Sequence, residues 1–400
     1  MKILYIHQYF RTPTEPGGTR SYWFAKELVR RGHQVIMVTS TNKFRPVPCR
    51  VNISGIEVIY VRSTYSNYFT PFQKIKSFLN FMYLSIKEAS KERGVDIVYA
   101  TSTPLTVGGI ALWLRFKKRW KYIFEVRDLW PEFPIQIGVV RNSFLIWGLR
   151  KFEKWIYKKS EFIVTLSPGM QAGVLETGIV SDKVCVIPNM SKPDKFFPHT
   201  CSQSIIDEFN LDKNKFNIIH FGSMGVANGL EYIIETAKLL QNQSIIDVNF
   251  IFLGDGATFP ILQKKAKEYN LYNVQFLGSH KMDIVAEIVN CCDISITSFL
   301  NLPILYTNSP NKLFDSLSAG KPIIVNSAGW TKELVEKESC GCYVNPNSPQ
   351  DFVDKILEIK DNKSLLSKWG DNARKLSVEV FDKSILSKKM ADLVEKYGDN

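Results

Sequence analysis

The chain has 400 residues, 45% of them hydrophobic, and 51 Lys and Arg against 39 Asp and Glu give a formal net charge of +12. This composition excludes a disordered or fibrous chain, and no apolar run approaches the roughly 18–20 residues that cross a bilayer. The charge is uneven: residues 1–200 carry +16 and residues 201–400 carry −4, so the two halves face different partners.

Short apolar runs alternate with helix-length segments from end to end. In the first half, strands are expected at Lys2–Ile6, Gln34–Thr39, Glu57–Val61, Asp96–Tyr99, Tyr122–Glu125, Phe162–Thr165 and Val184–Ile187. Helices are expected at Arg20–Arg31, Pro71–Arg93, Leu105–Lys117, Ser143–Lys159 and Pro168–Thr177. The rhythm pauses over residues 188–216, which are rich in proline and polar residues. It resumes with strands at Asn217–Phe221, Val248–Leu253, Val274–Phe276, Ile294–Thr297, Pro322–Val325 and Cys342–Val344. The helices between them are Gly229–Leu240, Phe259–Tyr269, Met282–Asn290, Asn311–Ser318 and Lys332–Glu338, and helical patterns over 349–361, 364–376 and 383–397 close the chain.

Continuous apolar strands separated by helices make this an α/β protein of parallel sheets covered on both faces. Two Rossmann-like domains in tandem follow: residues 1–195, a linker at 196–216, and residues 217–376, with the terminal helix of 377–400 packing back on the first domain. Ligands in such sheets lie outside the carboxyl ends of the strands where strand order reverses, and the cleft between two domains is the expected site.

The opening MKILYIHQYF lacks the apolar region and cleavage site of a signal peptide, so the expected compartment is the cytoplasm. Seven cysteines occur without a C-x-x-C pair and are expected to act as small buried hydrophobes. Five scattered histidines argue against a protein-built metal site, and neither metal nor cofactor is expected.

Three places carry chemistry. The loop His7–Thr19 ends in Pro16-Gly17-Gly18-Thr19-Arg20 at a helix start, where two glycines either let a phosphate approach the helix N-terminus or form a tight turn. The strand Tyr122–Glu125 opens into Arg127-Asp128, charges that either serve a cleft or staple the loop as a pair. The densest cluster runs from Tyr306 through Thr307, Asn308, Ser309, Pro310, Asn311 and Lys312 to Asp315. There Ser309 is the expected N-cap and Pro310 the first helical residue. Lys312 in the first turn and Asp315 one turn deeper are either a diphosphate and ribose site or a solvent-facing ion pair. A nicotinamide fingerprint is missing at both glycine-rich loops, since Gly254-Asp255-Gly256 is followed by Phe259 at the third glycine position.

The ordered set of these motifs resembles glycosyltransferase family 4, of the GT-B fold. The matching pieces are the Gly17-Gly18 loop, the Asp128 loop, Ser167-Pro168-Gly169, Ile187-Pro188-Asn189, Gly254-Asp255-Gly256, Phe276-Leu277-Gly278 and Pro310 through Pro322. The EVRDLWPE and SPNKLFDSLSAGKP segments most resemble bacterial O-antigen and capsule enzymes, including N-acetylfucosaminyltransferase-like members. The resemblance implies retaining transfer from a UDP-sugar without a metal, the donor being held by the C-terminal domain. By position it implies that Gly18 meets the donor phosphate side, Lys312 the diphosphate and Asp315 the ribose, while the loop after Gly278 borders the nucleobase. The chain departs from the family in having Thr307 where a glutamate addresses the sugar, and Ser223 and Asn228 where an arginine and a lysine stand. Arg127 precedes Asp128 where many relatives have a histidine. Lys312 and Arg127 are therefore expected to supply the missing charge, and Arg127 and Asp128 to orient the acceptor.

The basic excess gathers in amphipathic helices. In Ser143–Lys159, Leu145, Leu149, Phe152 and Ile156 share one face, with Arg150, Lys151, Lys154 and Lys158 largely opposite. Such a helix either docks on an anionic membrane or packs on its own sheet with a wet basic side. Residues 68–93 add Phe72, Phe78 and Tyr83 among Lys74, Lys76 and Lys87. No nucleic-acid-binding signature accompanies these patches. The reading is a peripheral enzyme on the inner face of the cell membrane, taking a lipid-diphosphate-linked saccharide as acceptor. A UDP-sugar 2-epimerase and a non-catalytic nucleotide-sugar-binding membrane protein are the alternatives.

Overall fold

The computed structural model describes residues 1–15, 17–41, 47–66 and 68–398, so Pro16 of the glycine loop lies outside the described residues. The chain forms two compact units. One comprises residues 1–13, 18–188 and 383–400, the other residues 14–17 and 189–382.

The first unit contains β1 (Lys2–Ile6), α1 (Arg20–Arg30), β2 (Gln34–Thr41), β3 (Cys49–Ile53), β4 (Ile56–Arg62), α2 (Pro71–Ala89), β5 (Ile97–Thr101), α3 (Thr106–Lys118), β6 (Lys121–Val126), α4 (Glu132–Gln136), α5 (Ser143–Lys159), β7 (Phe162–Thr165), α6 (Pro168–Glu176) and β8 (Val184–Val186). Its sheet runs β3-β4-β2-β1-β5-β6-β7-β8 and is parallel except for β3, which pairs antiparallel with β4. Strand order reverses between β1 and β5. Ile3 through Ile6 of β1 are wholly buried, as a strand covered on both faces by helices requires.

The second unit contains α7 (Gln203–Phe209), β9 (Phe216–Ser223), α8 (Glu231–Asn242), β10 (Val248–Asp255), α9 (Phe259–Glu268), β11 (Val274–Gly278), α10 (Met282–Asn290), β12 (Ile294–Thr297), α11 (Asn311–Ser318), β13 (Ile323–Val325), α12 (Trp330–Lys337), β14 (Gly341–Tyr343), α13 (Pro349–Ile359) and α14 (Lys363–Glu379). Its parallel sheet runs β11-β10-β9-β12-β13-β14 and reverses between β9 and β12. The last helix, α15 (Lys383–Gly398), belongs to the first unit. Arg31, just past α1, reaches Asp392 and Glu395 at 2.7 Å, and the Phe162 and Tyr397 rings stack at 4.8 Å.

Three expectations need correction. The stretch 196–216 is not a linker: Phe196, Ile205, Ile206, Phe209 and Leu211 are buried in the core of the second unit, and their spacing was masked by intervening prolines and polar residues. The edge strand β3 was missed because only alternate residues are half-buried and no apolar run marks it. Cys201 and Cys291 form a disulfide, with Cα atoms 5.0 Å apart across 90 residues, where a buried free thiol was expected. Among the described residues, no helix is long and apolar enough to cross a membrane.

Candidate active site

In the second unit the site is built at the carboxyl end of β9, beside the point where strand order reverses. His220 faces inward there, and Lys312, in the first turn of α11, places its Nζ 3.0 Å from His220 Nε2. When Lys312 is charged it can only donate, and Nε2 then carries the lone pair. Burial, reinforced by the Lys312 charge, holds the histidine pKa well below its ordinary value. Burial also lowers Lys312 to about 7. Gly222 holds a left-handed φ of +102, which favours glycine, while a Cβ there would only touch Lys312 Cε at 3.9 Å. The result is an amine held at the head of a helix, where N–H groups and macrodipole also favour an anion.

The glycines beside it have a packing reason. A Cβ on Gly254 would fall 2.0 Å from the Gly222 carbonyl oxygen, and one on Gly256 would fall 2.4 Å from that of Met224. Gly254 pairs with Gly222 and Asp255 with Ser223 in the β9–β10 register, so the two strand ends lie back to back. Ser223 is exposed at this edge. Asn228 offers no charge and folds its own turn, its side-chain oxygen accepting the Gly225 N–H at 3.1 Å. Gly278 has φ +71 and open space about its Cα.

The cluster from Thr307 to Asp315 departs from expectation in its details. Pro310 (φ −76, ψ 135) occupies the cap position and Asn311 begins the helix. The Ser309 hydroxyl accepts the Asn189 N–H at 3.2 Å, and the Asn189 amide donates to the Ser309 carbonyl at 2.5 Å, so Ser309 anchors the loop rather than capping α11. Asn308 precedes it in extended conformation. The Thr307 hydroxyl donates to the Ile304 carbonyl at 2.8 Å within its own turn. Lys312 and Asp315 are not a solvent-facing pair. Asp315 is buried and meets Lys192 Nζ at 2.9 Å, burial raising its pKa while Lys192 pulls it back. Lys192 went unnoticed in the sequence, where only the neighbouring Ile187-Pro188-Asn189 marked the segment. The Lys192 N–H donates to Ser318 Oγ at 3.0 Å and the Ser191 hydroxyl to the Phe314 carbonyl at 3.2 Å, docking residues 189–192 along α11.

In the first unit, the ends of β1, β5 and β6 converge at the strand-order reversal. Arg127 Nη1 lies 3.2 Å from His7 Nε2, and His7 Nδ1 lies 2.7 Å from Ser21 Oγ on α1. The Arg127 N–H donates to Ser102 Oγ at 2.9 Å, and the Thr103 hydroxyl donates to Asp128 Oδ2 at 2.7 Å. Arg127 and Asp128 thus do not staple each other; each is oriented by a different neighbour. Burial, with Arg127 and Arg11 adding to it, holds the His7 pKa well below its ordinary value, and burial raises that of Asp128. His7, like the other four histidines, has no role marked in the sequence: it arrives from the end of β1, 120 residues from Arg127. Beneath these groups Arg20 pairs with Glu125 at 3.0 Å, both fully buried, and donates to the Ile187 carbonyl at 2.7 Å. Gly17 (φ +119) is exposed and Gly18 follows it just before α1. Among the described residues, no three of His, Cys, Asp and Glu gather where they could hold a metal ion.

Two family models match: "Glycosyl transferase 4-like domain" over residues 17–190 and "Glycosyl transferases group 1" over residues 202–376. The chain is 23% identical over 316 residues to a probable glycosyltransferase, WbjE, of Pseudomonas aeruginosa, covering 78% of this chain and 77% of that one. It is 25% identical over 238 residues to WcaI of Escherichia coli, a putative colanic acid biosynthesis glycosyl transferase, covering 58% of this chain and 56% of that one. Its fold matches that of Anabaena HepE in complex with UDP and glucose, with a TM-score of 0.73 over 99% of each chain at 17% identity.

Proposed function

Because the chain is a glycosyltransferase of the GT-B fold, we propose that it moves a sugar from a UDP-linked donor, held by the second unit, to a saccharide on a polyprenyl diphosphate, held by the first. The transferred sugar is an N-acetylated hexosamine or deoxyhexosamine, the product is a surface polysaccharide, and no metal takes part. The observation that carries this reading is the Lys312–His220 contact at the head of α11, which offers a cation and free N–H groups together to a diphosphate. The UDP held by HepE and the name of WcaI support the donor and the polysaccharide setting.

Transfer proceeds with retention. As the anomeric C–O bond breaks, the departing diphosphate oxygen accepts the proton of the acceptor hydroxyl, which bonds to the same face of the sugar. The neutral His7 and the hydrogen-bonded Asp128 leave no strong free base, and this route needs none. Lys312 and the α11 N–H groups stabilise the leaving charge, while Arg127 and Asp128 orient the acceptor. In the second unit Asp315 addresses the ribose and Gly278 borders the base.

The first unit docks on an anionic bilayer from the cytoplasmic side. Phe72, Ile75, Leu79 and Tyr83 form an exposed apolar stripe on α2, and Phe144, Leu145 and Trp147 stand exposed on α5. Lys74, Lys76, Lys87, Lys151, Lys154 and Lys158 on these helices complement the lipid charge, at about 1 kcal/mol each near the headgroups. The test is transfer of radiolabelled sugar from a panel of UDP-sugars to undecyl diphosphate bearing one N-acetylglucosamine, with and without chelator. Transfer that persists in chelator is expected; metal dependence, or no transfer across the panel, overturns the reading.

A further inference from the structure

In the first unit a row of four aromatic rings ends at Trp130, two residues beyond Asp128. Tyr9 and Tyr65 have centroids 5.0 Å apart, Tyr65 stacks on Phe78 at 5.9 Å with an 18° tilt, and Phe78 meets Trp130 edge-on at 6.3 Å. Tyr9 comes from the end of β1, Tyr65 from the end of β4, Phe78 from α2, and Trp130 lies two residues beyond Asp128, so all but Phe78 follow the carboxyl ends of the strands. All four are half-buried rather than buried, unlike the core rings Tyr5, Phe24 and Phe124.

Two side chains at the ends of the row, Gln8 and Trp130, hold polar atoms without partners among the described residues. Gln8, next to Tyr9, is wholly buried, and among the described residues neither its amide nitrogen nor its amide oxygen has a hydrogen-bond partner. The Trp130 indole N–H is likewise buried without one. Buried donors and acceptors in folded proteins are nearly always satisfied, so these three atoms, beside Tyr9 at one end of the row and on Trp130 at the other, leave donors and an acceptor for a partner. Plain packing of the Asp128 loop on α2 accounts for the ring contacts but not for the orphaned amide.

We propose that this row is a platform for the saccharide end of the acceptor, its rings taking the C–H face of a pyranose while Gln8 and the Trp130 N–H meet hydroxyl or amide groups. A pyranose has these two characters at once: its axial C–H groups are weakly positive and suit the negative face of an aromatic ring, and its rim is all donors and acceptors. One end of the platform, Trp130, is on the loop that carries Asp128, whose carboxylate accepts from the Thr103 hydroxyl. It rests on the reading of the first unit as the acceptor half, and it adds the residues that choose the acceptor.

The test compares undecyl diphosphate with and without one terminal N-acetylglucosamine, titrated against the full chain by calorimetry. The sugar is expected to raise affinity about three- to tenfold, the range of one or two aromatic contacts. Tyr9→Ala and Trp130→Phe are each expected to remove most of that gain while UDP affinity and melting temperature hold. The Trp130→Phe variant keeps an aromatic ring, so a folding defect does not stand in for the result. Equal binding of the two lipids by the wild-type chain overturns the proposal, as does a gain retained in both variants. A sugar-dependent, Tyr9-dependent affinity seen equally with free N-acetylglucosamine disaccharide keeps the platform and removes the lipid-linked acceptor on which it rests.

Discussion

Lys312 Nζ donates to His220 Nε2 across 3.0 Å, and the amine that makes this contact is held at a pKa of about 7. The lysine is therefore a cation chiefly when an anion is present. At about pH 8 to 9 the free site is mostly neutral, and a bound diphosphate must draw a proton onto it. UDP affinity is expected to fall as pH rises above about 7, by up to tenfold per unit, with uptake of up to one proton. Ligand-free stability moves the other way in that window, because the unfolded chain binds the proton that the folded chain rejects. Calorimetry in buffers of different ionisation enthalpy reads the uptake directly; binding with no proton exchange removes the assignment.

Replacing Lys312 by Ala should lower turnover about a hundredfold or more, the usual cost of one group facing a developing anion. The same variant should lose the pH dependence of UDP affinity. Near-normal rates would mean that another group carries the diphosphate charge.

Asp315 and Lys192 allow ribose binding to be separated from folding. Both are buried, so Lys192→Met leaves a lone carboxylate inside and is expected to cost about 3 kcal/mol of stability, measured by urea unfolding. Asp315→Ala should weaken UDP binding beyond its effect on stability. A melting-point loss with unchanged UDP affinity would make Asp315 purely structural.

Arg127→Ala is expected to cut kcat about ten- to a hundredfold with donor KM little changed, since its guanidinium lies 3.2 Å from His7 among the groups proposed to orient the acceptor. The His7 imidazole then loses a neighbouring positive charge, and its pKa should rise, as followed by NMR; burial, the larger cause, keeps it below the ordinary value.

Charge reversal at Lys151, Lys154 and Lys158 should strip the chain from phosphatidylglycerol vesicles in flotation. Arg150 is a poor choice for this test because it already holds Glu132 at 2.7 Å. Unaltered flotation would leave α5 structural.

Element order was legible because parallel strands buried on both faces read as apolar runs, and helix-length gaps set them apart. Lys312 and Asp315 were legible as a pair of positions on one helix, but not their partners. His220 and Lys192 meet them across 92 and 123 residues, as His7 meets Arg127 across 120, separations that no local period encodes. Ser309 misled because a serine before a proline has the local signature of a cap, whereas Asn189, from a distant segment, claims its hydroxyl. The helix α5 was read correctly as amphipathic, yet Leu145 on its apolar side is half exposed, because only the far end of the helix, at Ile156, meets the core.

Gly109 on α3 has one more consequence. A Cβ there would lie 3.0 Å from Phe152 of α5 and 3.2 Å from Met82 of α2, so the two outer helices close on α3 and hold fixed stations on either side of it. Under the proposed docking on a bilayer, their exposed patches form a bivalent contact. Once one patch touches a surface, the other is presented at a high effective concentration, and cutting off either lowers residence by more than its own share.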